Sequence, residues 1–432
     1  MSTVACEEPF STAVESSLLP YVCHNCFKHV ASDDVLKCCS RCSTVYYCNT
    51  ACQKRDWLNH SIECKCLRNC FPRTPNSFVR LLARFYFKTL SHGRSIVSFN
   101  SRSCEDLVDN YEELMKSEKH TENFSLIFCI LTNYVYGVDV QQKKAELFSA
   151  YGKLVTNAFS ITDAIGRVLG TGLYLGISVH NHSCIPDAYV RFEGSTAVMR
   201  RPQIGGNYDV NLTISYVDLM STAAERNKIL GDQFCFTCCC PRCEDREEDC
   251  WKLSVNSRCC AGGFCLVDAT ENNDLQQPLI CFLCKKKVDL QISEALDYNM
   301  KAILELEDAT LATSGYSSEV DRWLTIFNRY VQVLSPYNVR LATICQKLIC
   351  AAESVGRTDI LQDVAEVSLP AYRKYLPLGH PELTQRLRFA FLNKSDENPP
   401  EERRSLLLEV YESAVLSHGE DHVITKELMS FL

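Results

Sequence analysis

The chain has 432 residues, 46% of them hydrophobic, and a formal net charge of −8. This length predicts two to three globular domains, and no stretch approaches the roughly 18 unbroken apolar residues of a membrane helix. The N-terminus MSTVACEEPF lacks the basic and apolar regions of a secretion signal, so we expect a soluble intracellular protein without a membrane. The negative net charge disfavours binding of nucleic acid through its phosphates and is compatible with basic protein substrates.

The 27 cysteines are the most unusual feature of the composition. Many of them form Cys-x-x-Cys pairs, and no secretion signal precedes them. Thiolate ligands in a reducing compartment therefore explain them better than disulfides do, and zinc is the expected metal.

Residues 23–64 contain eight soft ligands, which is enough for two closed tetrahedral zinc sites. They are Cys23, Cys26, Cys39, Cys42, Cys48, Cys52, His60 and Cys64. A segment of about forty residues has too little core to fold without such metal sites.

This segment resembles the MYND zinc finger, which shares its YYC, CQKRDW and H-x3-C landmarks. The resemblance implies an interleaved pairing, with Cys23, Cys26, Cys48 and Cys52 on one zinc and Cys39, Cys42, His60 and Cys64 on the other. It also implies a peptide-docking module. The mixed basic and aromatic residues Lys54, Arg55 and Trp57 leave a charged protein or DNA surface open as the ligand.

Helical periodicity dominates residues 74–165, for example in FVRLLARFYFKTL and DNYEELMKSE. No chemical motif accompanies it. We expect this segment to act as a scaffold.

A second group of chemical residues begins with the tetrapeptide Asn181-His182-Ser183-Cys184. Downstream, LTISYVDLMST alternates like a strand that delivers Tyr216, and AERNKILGDQ reads as a short helix. The helix leads to three thiols, Cys238, Cys240 and Cys243, one fewer than a closed zinc site needs. Cys184 is the natural candidate for the fourth.

Together, NHSC, a strand ending in ISY and Cys-x-Cys-x-x-Cys resemble the SET domain with its post-SET zinc site. With TNAFSI (156–161), GLYLGIS (172–178) and the finger, the chain resembles the SET and MYND domain-containing (SMYD) protein-lysine methyltransferases. The implied fold is α+β. It is a SET-type β fold interrupted by a MYND finger and a helical insertion, with a post-SET zinc site and a C-terminal all-α, tetratricopeptide-like helical array.

The resemblance implies S-adenosylmethionine as the cofactor, with Tyr216 as the catalytic hydroxyl that orients the methyl group and the lysine amine. The implied cofactor contacts are Asn181, His182, Asn157, Asn110 and Phe236, with Phe236 stacked on the adenine. For Asn157 and Asn110, loop capping remains an alternative interpretation.

The sequence departs from the family pattern at three points. SMYD proteins carry a Gly-x-Gly turn ahead of the finger, whereas the 22 residues before Cys23 contain no glycine and ACEEPFSTAV looks like the tail of that segment. Asp187 replaces the usual asparagine after the proline, and GGNYDVN replaces Gly-Glu-Glu. We expect weaker cofactor binding, because a glycine turn lets backbone approach a ligand closely.

Two further patterns follow the second cysteine group. Cys260, Cys265, Cys281 and Cys284 form a fourth four-thiolate site or remain free cysteines. A repeat of about 42 residues aligns YVQVLSPYNV (330–339), YRKYLPLGHP (372–381) and AVLSHGEDHV (414–423), each a helix end followed by a turn. Such helix pairs stack into arrays.

The predicted domains follow from these assignments. They are a remnant of the N-terminal SET segment (1–22), the MYND finger (23–64), the helical insertion (65–165), the core SET domain (166–228), the post-SET zinc region (229–287) and the tetratricopeptide-like helical domain (288–432).

The leading hypothesis is a protein-lysine N-methyltransferase and chromatin regulator. It would hold three zinc ions, act as a monomer on histone or non-histone proteins in cytoplasm and nucleus, and bind docking peptides through its finger. The alternative is a SMYD-like adaptor with impaired catalysis that recruits partners for transcriptional repression. Direct DNA binding is disfavoured by the acidic charge.

Overall fold

The computed structural model describes residues 3–30, 35–92, 98–136, 139–201, 212–269, 274–311, 316–394 and 400–432. The GGNYDVN segment lies outside these ranges. In the part of the chain so described, no helix is both long and apolar enough to cross a membrane.

Fourteen strands are assigned in the described ranges. They are β1 (Thr3–Glu7), β2 (Ser11–Val14), β3 (Lys37–Cys38), β4 (Tyr46–Tyr47), β5 (Ala158–Thr162), β6 (Val168–Leu173), β7 (Asn181–His182), β8 (Tyr189–Glu193), β9 (Thr196–Arg200), β10 (Thr213–Ile214), β11 (Val255–Asn256), β12 (Phe264–Cys265), β13 (Pro278–Ile280) and β14 (Lys287–Gln291).

Fifteen α-helices are assigned in the same ranges. They are α1 (Thr50–Cys70), α2 (Ser77–His92), α3 (Tyr111–Lys116), α4 (Glu118–Tyr134), α5 (Lys144–Asn157), α6 (Ala223–Phe234), α7 (Pro241–Glu244), α8 (Arg246–Lys252), α9 (Ile292–Leu311), α10 (Tyr316–Tyr330), α11 (Val339–Ser354), α12 (Leu361–Tyr375), α13 (Pro381–Leu392), α14 (Pro400–Ser417) and α15 (Val423–Met429).

The first residues of the chain complete two antiparallel sheets. Strand β1 pairs with β9 in the order β1-β9-β8, and β2 pairs with β6 in the order β2-β6-β5. A side chain at Gly170 in β6 would overlap the Ala13 carbonyl and the Phe27 ring, so the close approach of β2 requires glycine there. Residues 3–14 are therefore part of the same folded unit as residues 158–200.

The helical insertion ends earlier than the periodicity predicted, because strand β5 begins at Ala158. Residues 74–157 are largely helical, but Ala158–Thr162 pairs with β6. The structured sheet thus begins before residue 166, where the sequence had placed the start of the core SET segment.

The predicted strand over LTISYVDLMST is shorter than expected. Only Thr213–Ile214 forms β10, which pairs in parallel with β7. The Ser215 hydroxyl donates to the Val217 carbonyl (2.8 Å), and the Asp218 carboxylate accepts from the Met220 amide (2.8 Å). These local turns end the strand before Tyr216.

Two hydrophobic cores organise the molecule. The first contains the finger, helices α2 to α5 and the two sheets. The second contains Cys184, Leu219 and Met220 together with residues of α9 to α15. The segment from β7 to Met220 therefore passes from one core to the other.

The 42-residue repeat is visible in the helix boundaries. Helices α11, α13 and α15 begin at Val339, Pro381 and Val423, so consecutive starts are 42 residues apart. In each case the preceding residue caps the helix, since its side chain accepts from a backbone amide two residues later. The three caps are Asn338, His380 and His422.

The cap Asn338 also takes part in a buried hydrogen-bond network, so its contribution to stability can be tested by substitution. It is fully buried, and its amide donates to the Ser254 carbonyl and to Asn299 Oδ1, both at 2.9 Å. We expect Asn338→Ala to lower the free energy of unfolding by about 2 kcal/mol, because these buried partners lose their bonds. His422→Ala, at the equivalent but partly exposed cap, should cost less. Equal losses in urea denaturation would contradict this interpretation.

Candidate functional site

The finger brings its eight predicted ligands into two groups. Cys23, Cys26, Cys48 and Cys52 form one group, and Cys39, Cys42, His60 and Cys64 form the other. Within each group all ligand atoms lie within 4.8 Å of one another. This is the interleaved grouping that the resemblance implied, and the chemistry of the donors suits zinc.

Each Cys-x-x-Cys pair of the finger lies on the same kind of turn. Phe27 and Ser43, the residues after the second cysteine, have φ of 58° and 53°. Their amides donate to the carbonyls of Cys23 (3.0 Å) and Cys39 (2.9 Å). The turn aims both sulfurs of a pair at one point, while helix α1 carries Cys52, His60 and Cys64.

A buried ionic network connects the finger to helix α2. Arg84 donates to Asp56 Oδ1 (2.7 Å) and to Glu63 Oε2 (2.5 Å), and all three side chains are buried. Burial alone would raise the pKa of Asp56, but Arg84 outweighs it and, with His24 and His60, lowers that pKa to about 2. Both carboxylates therefore remain charged in the interior.

The same network orients a predicted zinc ligand. His60 Nδ1 lies 3.3 Å from Glu63 Oε2, which leaves Nε2 facing Cys42 Sγ at 3.7 Å. A carboxylate on the far nitrogen fixes the tautomer and the ring orientation of a metal-binding histidine. Sequence reasoning missed Asp56, Glu63 and Arg84, since charged residues on helices are usually solvated.

The third predicted group is also assembled. Cys184 Sγ lies 3.5 Å from Cys243 Sγ, and with Cys238 and Cys240 their sulfurs are all within 4.8 Å. The fully buried Arg226 donates to Cys243 Sγ at 3.6 Å. Its positive charge offsets part of the negative charge of four thiolates.

The cysteine-rich segment 259–284 requires a correction. The four sulfurs within 4.8 Å belong to Cys259, Cys260, Cys281 and Cys284, not to the predicted set containing Cys265. Cys265 is fully buried within β12, in the second hydrophobic core. Because side chains alternate along a strand, its thiol packs into that core instead of joining the group.

An aromatic cluster lies beside the set of four cysteines formed by Cys184, Cys238, Cys240 and Cys243, which we call the third thiol group. The His182 ring is 5.4 Å from that of Tyr216 and 5.9 Å from that of Phe236. The Tyr216 ring is 4.7 Å from that of Phe234, a residue that sequence reasoning missed although the FCF alternation could have indicated it. We call these four side chains the aromatic cluster. Three side chains predicted to act together, His182, Tyr216 and Phe236, thus meet at one place.

Hydrogen bonds fix the orientation of the cluster. The Tyr216 hydroxyl donates to the His180 carbonyl (2.6 Å), and the Tyr216 amide donates to His182 Nδ1 (3.1 Å). Burial, followed by the charge of Arg226, lowers the pKa of His182 to about 4. Burial raises the pKa of Tyr216. At neutral pH both side chains are uncharged.

The three predicted asparagines have different environments. Asn181 is exposed next to the cluster. Asn110 donates to the Phe234 carbonyl (3.4 Å) and so touches the backbone of the cluster. Asn157 is buried and donates to the carbonyls of Val108 and Lys153, both at 2.8 Å, which is a loop-anchoring arrangement.

Two carboxylates, Asp218 and Glu382, interact with each other, and Asp218 follows Tyr216 by two residues. The Asp218 carboxylate reaches solvent but is surrounded by protein, and this dehydration raises its pKa. On helix α13, burial and then the charge of Asp218 raise the pKa of Glu382 to about 7, against the opposing effect of Arg386. We call these two carboxylates the acidic pair.

Comparison with known proteins defines the class first. The MYND finger family model matches residues 23–64, so the chain contains a MYND-type zinc finger. The human histone-lysine N-methyltransferase SMYD3 is 34% identical over 250 residues, which covers 56% of this chain and 56% of SMYD3. The chain thus matches only about half the length of that relative.

Two other relatives align over nearly the whole chain. The Arabidopsis thaliana histone-lysine N-methyltransferase ASHR1 is 26% identical over 98% of this chain and 87% of its own length. Human histone-lysine N-methyltransferase SMYD1 is 23% identical over 98% of this chain and 82% of its own length. The finger and these relatives show that the chain is similar to proteins of the SET and MYND domain-containing (SMYD) family.

The network around Arg84 yields a stability prediction. We expect Arg84→Met to lower the free energy of unfolding by about 3–5 kcal/mol, because it removes the guanidinium that both buried carboxylates share. Asp56 keeps its contacts with His24 and Tyr47, and Glu63 keeps those with His60 and Arg80. Zinc release to a chelator should accelerate because Glu63, which orients His60, is held less firmly. The matched control is Arg357→Met, whose ion pair with Asp359 is exposed; it should leave both measurements unchanged. Similar effects of the two substitutions would show that the network is not important.

Proposed function

We propose that the chain is a protein-lysine N-methyltransferase that uses S-adenosylmethionine and acts on histone or non-histone proteins. The observation that carries the proposal is the aromatic cluster, in which Tyr216 and His182 lie beside the third thiol group. The methyltransferase names of the SMYD relatives support the same reaction.

The residues of the cluster fit the cofactor. Phe236 is 37% exposed, so a ring face is available for an adenine to stack on. The exposed amide of Asn181, in the same strand as His182, suits the polar groups of the cofactor. Both ring nitrogens of His182 already have partners, the Tyr216 amide and Cys184 Sγ (3.2 Å), so His182 would contact the cofactor through its ring. We assign Asn157 the anchoring of the loop before α3, which places Asn110 against the cluster.

When bound, S-adenosylmethionine supplies an electrophilic methyl group on a sulfonium sulfur. The acceptor would be a neutral lysine amine, whose lone pair forms the new N–C bond while the methyl–sulfur bond breaks and its electrons stay on the departing sulfur. The methylated amine would then release a proton to solvent. An apolar environment favours the neutral amine, since burial lowers the pKa of lysine. Because Tyr216 gives its hydrogen to the His180 carbonyl, its oxygen lone pairs can accept a hydrogen bond from the amine and hold it in line.

The acidic pair supports a basic peptide as the substrate. Asp218 follows Tyr216 by two residues and is partly open to solvent, so a peptide bound at Tyr216 could reach its carboxylate. Glu382 adds a second carboxylate from the C-terminal helices. When ionised, these carboxylates would attract a lysine-containing peptide, against the opposing charges of Lys252, Arg242 and Arg386.

We assign the remaining domains on the same basis. Strands β1, β2 and β5 to β10 would form the SET fold, with residues 1–22 as its first part, and α9 to α15 would form a tetratricopeptide-like array. The finger would dock peptides through exposed apolar residues of α1, including Trp57 and Leu58. A monomer working in nucleus and cytoplasm agrees with these roles.

The first test concerns Tyr216. We expect Tyr216→Phe to lower the rate of methyl transfer by about 100-fold, because the amine loses its orienting acceptor, and to change cofactor affinity less than about twofold. Transfer is measured with tritiated S-adenosylmethionine and core histones, and affinity by calorimetry. The control Tyr298→Phe, on helix α9, should alter neither.

The outcomes distinguish the enzyme from the adaptor. If calorimetry detects no binding of S-adenosylmethionine by the wild-type chain, the enzyme proposal fails and the non-catalytic adaptor explains the fold better. Equal losses of transfer and affinity in Tyr216→Phe would show that the tyrosine only shapes the pocket.

The second test uses the acidic pair. A fluorescent histone H3 N-terminal peptide without histidine should bind about fivefold more tightly at pH 8 than at pH 6. Glu382 is largely protonated below its pKa of about 7 and charged above it, whereas lysine and arginine stay charged throughout. Glu382→Gln should bind weakly at both pH values, and the exposed control Glu420→Gln should behave like the wild type. A pH effect that persists in Glu382→Gln would exclude this carboxylate as its source.

A further inference from the structure

A fourth set of cysteines is separate from the finger and from the Cys184 group. Its four sulfurs, from Cys259, Cys260, Cys281 and Cys284, come together between the hairpins β11–β12 and β13–β14. Cys259 Sγ lies 3.3 Å from Cys284 Sγ, and Cys260 Sγ lies 3.7 Å from Cys281 Sγ. Sulfurs bound to one tetrahedral zinc at about 2.3 Å are about 3.8 Å apart. The spacing is similar to that in the finger, where Cys26 and Cys48 are 3.6 Å apart.

The backbone around Cys281 repeats the turn of the finger. Lys285, the residue after Cys284, has φ of 60°, and its amide donates to the Cys281 carbonyl at 3.0 Å. Phe27 and Ser43 adopt this conformation after the two Cys-x-x-Cys pairs of the finger. A positive φ is costly for residues with side chains. Its recurrence after a third pair therefore indicates the same purpose, which is to aim two sulfurs at one ion.

The other half of the group is shaped by Gly263. A Cβ on this residue would lie 2.7 Å from Cys260 Sγ, so only glycine lets the loop close around that thiol. The Ser257 hydroxyl lies 3.2 Å from Cys259 Sγ and 3.4 Å from Cys281 Sγ. It can donate a hydrogen bond to a thiolate, as polar groups next to metal ligands commonly do.

Four positively charged residues are close in sequence to the four cysteines. Four thiolates with one Zn²⁺ carry a net charge of −2. The exposed cations Arg258, Lys285, Lys286 and Lys287 are close in sequence to the ligands and offset that charge.

We propose that Cys259, Cys260, Cys281 and Cys284 bind a fourth zinc ion, in addition to those of the finger and the Cys184 group. Four thiolates leave no open coordination position, so the site is structural. This proposal does not depend on the methyltransferase proposal.

The site would fix the segment that joins the third thiol group to the C-terminal helices. Phe264 and Phe282, one on each side of the site, stack with ring centres 5.2 Å apart. Both contact Trp251 on α8, and Phe264 also contacts Tyr337 in the turn before α11. Zinc would fix the positions of the two hairpins relative to each other. The contacts of Phe264 and Phe282 with Trp251 and Tyr337 would then join α8 to the helical array.

The stoichiometry of zinc tests the proposal. Inductively coupled plasma mass spectrometry of the full chain should show one zinc fewer per molecule in Cys284→Ser than in the wild type. Cys265→Ala, which removes a thiol of the same segment outside the group, should retain the wild-type content. Unchanged zinc in Cys284→Ser, or an equal loss in Cys265→Ala, would overturn the assignment.

Thiol labelling provides a test that needs no folded variant. Cys259 is exposed, as are Cys6, Cys129 and Cys239, so iodoacetamide can reach all four thiols. In the zinc-loaded wild type we expect Cys259 to react at least about tenfold more slowly than after chelation, because zinc withdraws thiolate reactivity. Fast labelling, or a disulfide between Cys259 and Cys284 in tryptic peptides, would overturn the proposal.

Discussion

The meeting of Cys184 with Cys238, Cys240 and Cys243 is the constraint on which the candidate site depends. Cys184 belongs to the second hydrophobic core, whereas Tyr216, nearby in space, packs against the first. Holding these four sulfurs within 4.8 Å fixes β7 relative to the segment after α6. Only then do His182 and Phe236, which lie 54 positions apart in the chain, share one cluster. Zinc at this point would shape the pocket and take no part in the transfer.

At the finger, ion pairs fix the position of one segment relative to another, as the Cys184 group does at the candidate site. A zinc finger of this size has little core of its own, so its orientation depends on what it contacts. Asp56 and Glu63 extend the metal group toward Arg84, which lies on a helix outside the finger. The dehydration cost of three buried charges is high, and it is offset because each carboxylate is paired with the same guanidinium. The finger and helix α2 are therefore joined by buried ion pairs and share one hydrophobic core.

The sequence could predict those parts of the structure that depend on local spacing. Cysteine pairs indicated both groups of the finger and the Cys184 group, because a ligand pair two residues apart has few alternative geometries. The repeat indicated where helices α11, α13 and α15 begin, because a cap and a turn are local. The choice between Cys259 and Cys265 was wrong, since it depends on which side of a two-residue strand faces the core. Neither Arg84 nor Asp218 could be recognised, because their roles depend on partners distant in the chain.

The acidic pair connects the chemistry to the architecture. Asp218 is carried by the segment that leaves Tyr216 and enters the second core, and Glu382 is carried by the helix that His380 caps. A shift of the C-terminal helices would therefore change the separation of these carboxylates without moving Tyr216. Since Asp218 contributes to the raised pKa of Glu382, that separation also decides how much charge the acidic pair carries near neutral pH. The helical array would in this way determine how strongly a basic peptide is held, while the thiol group at Cys184 determines where its amine must arrive.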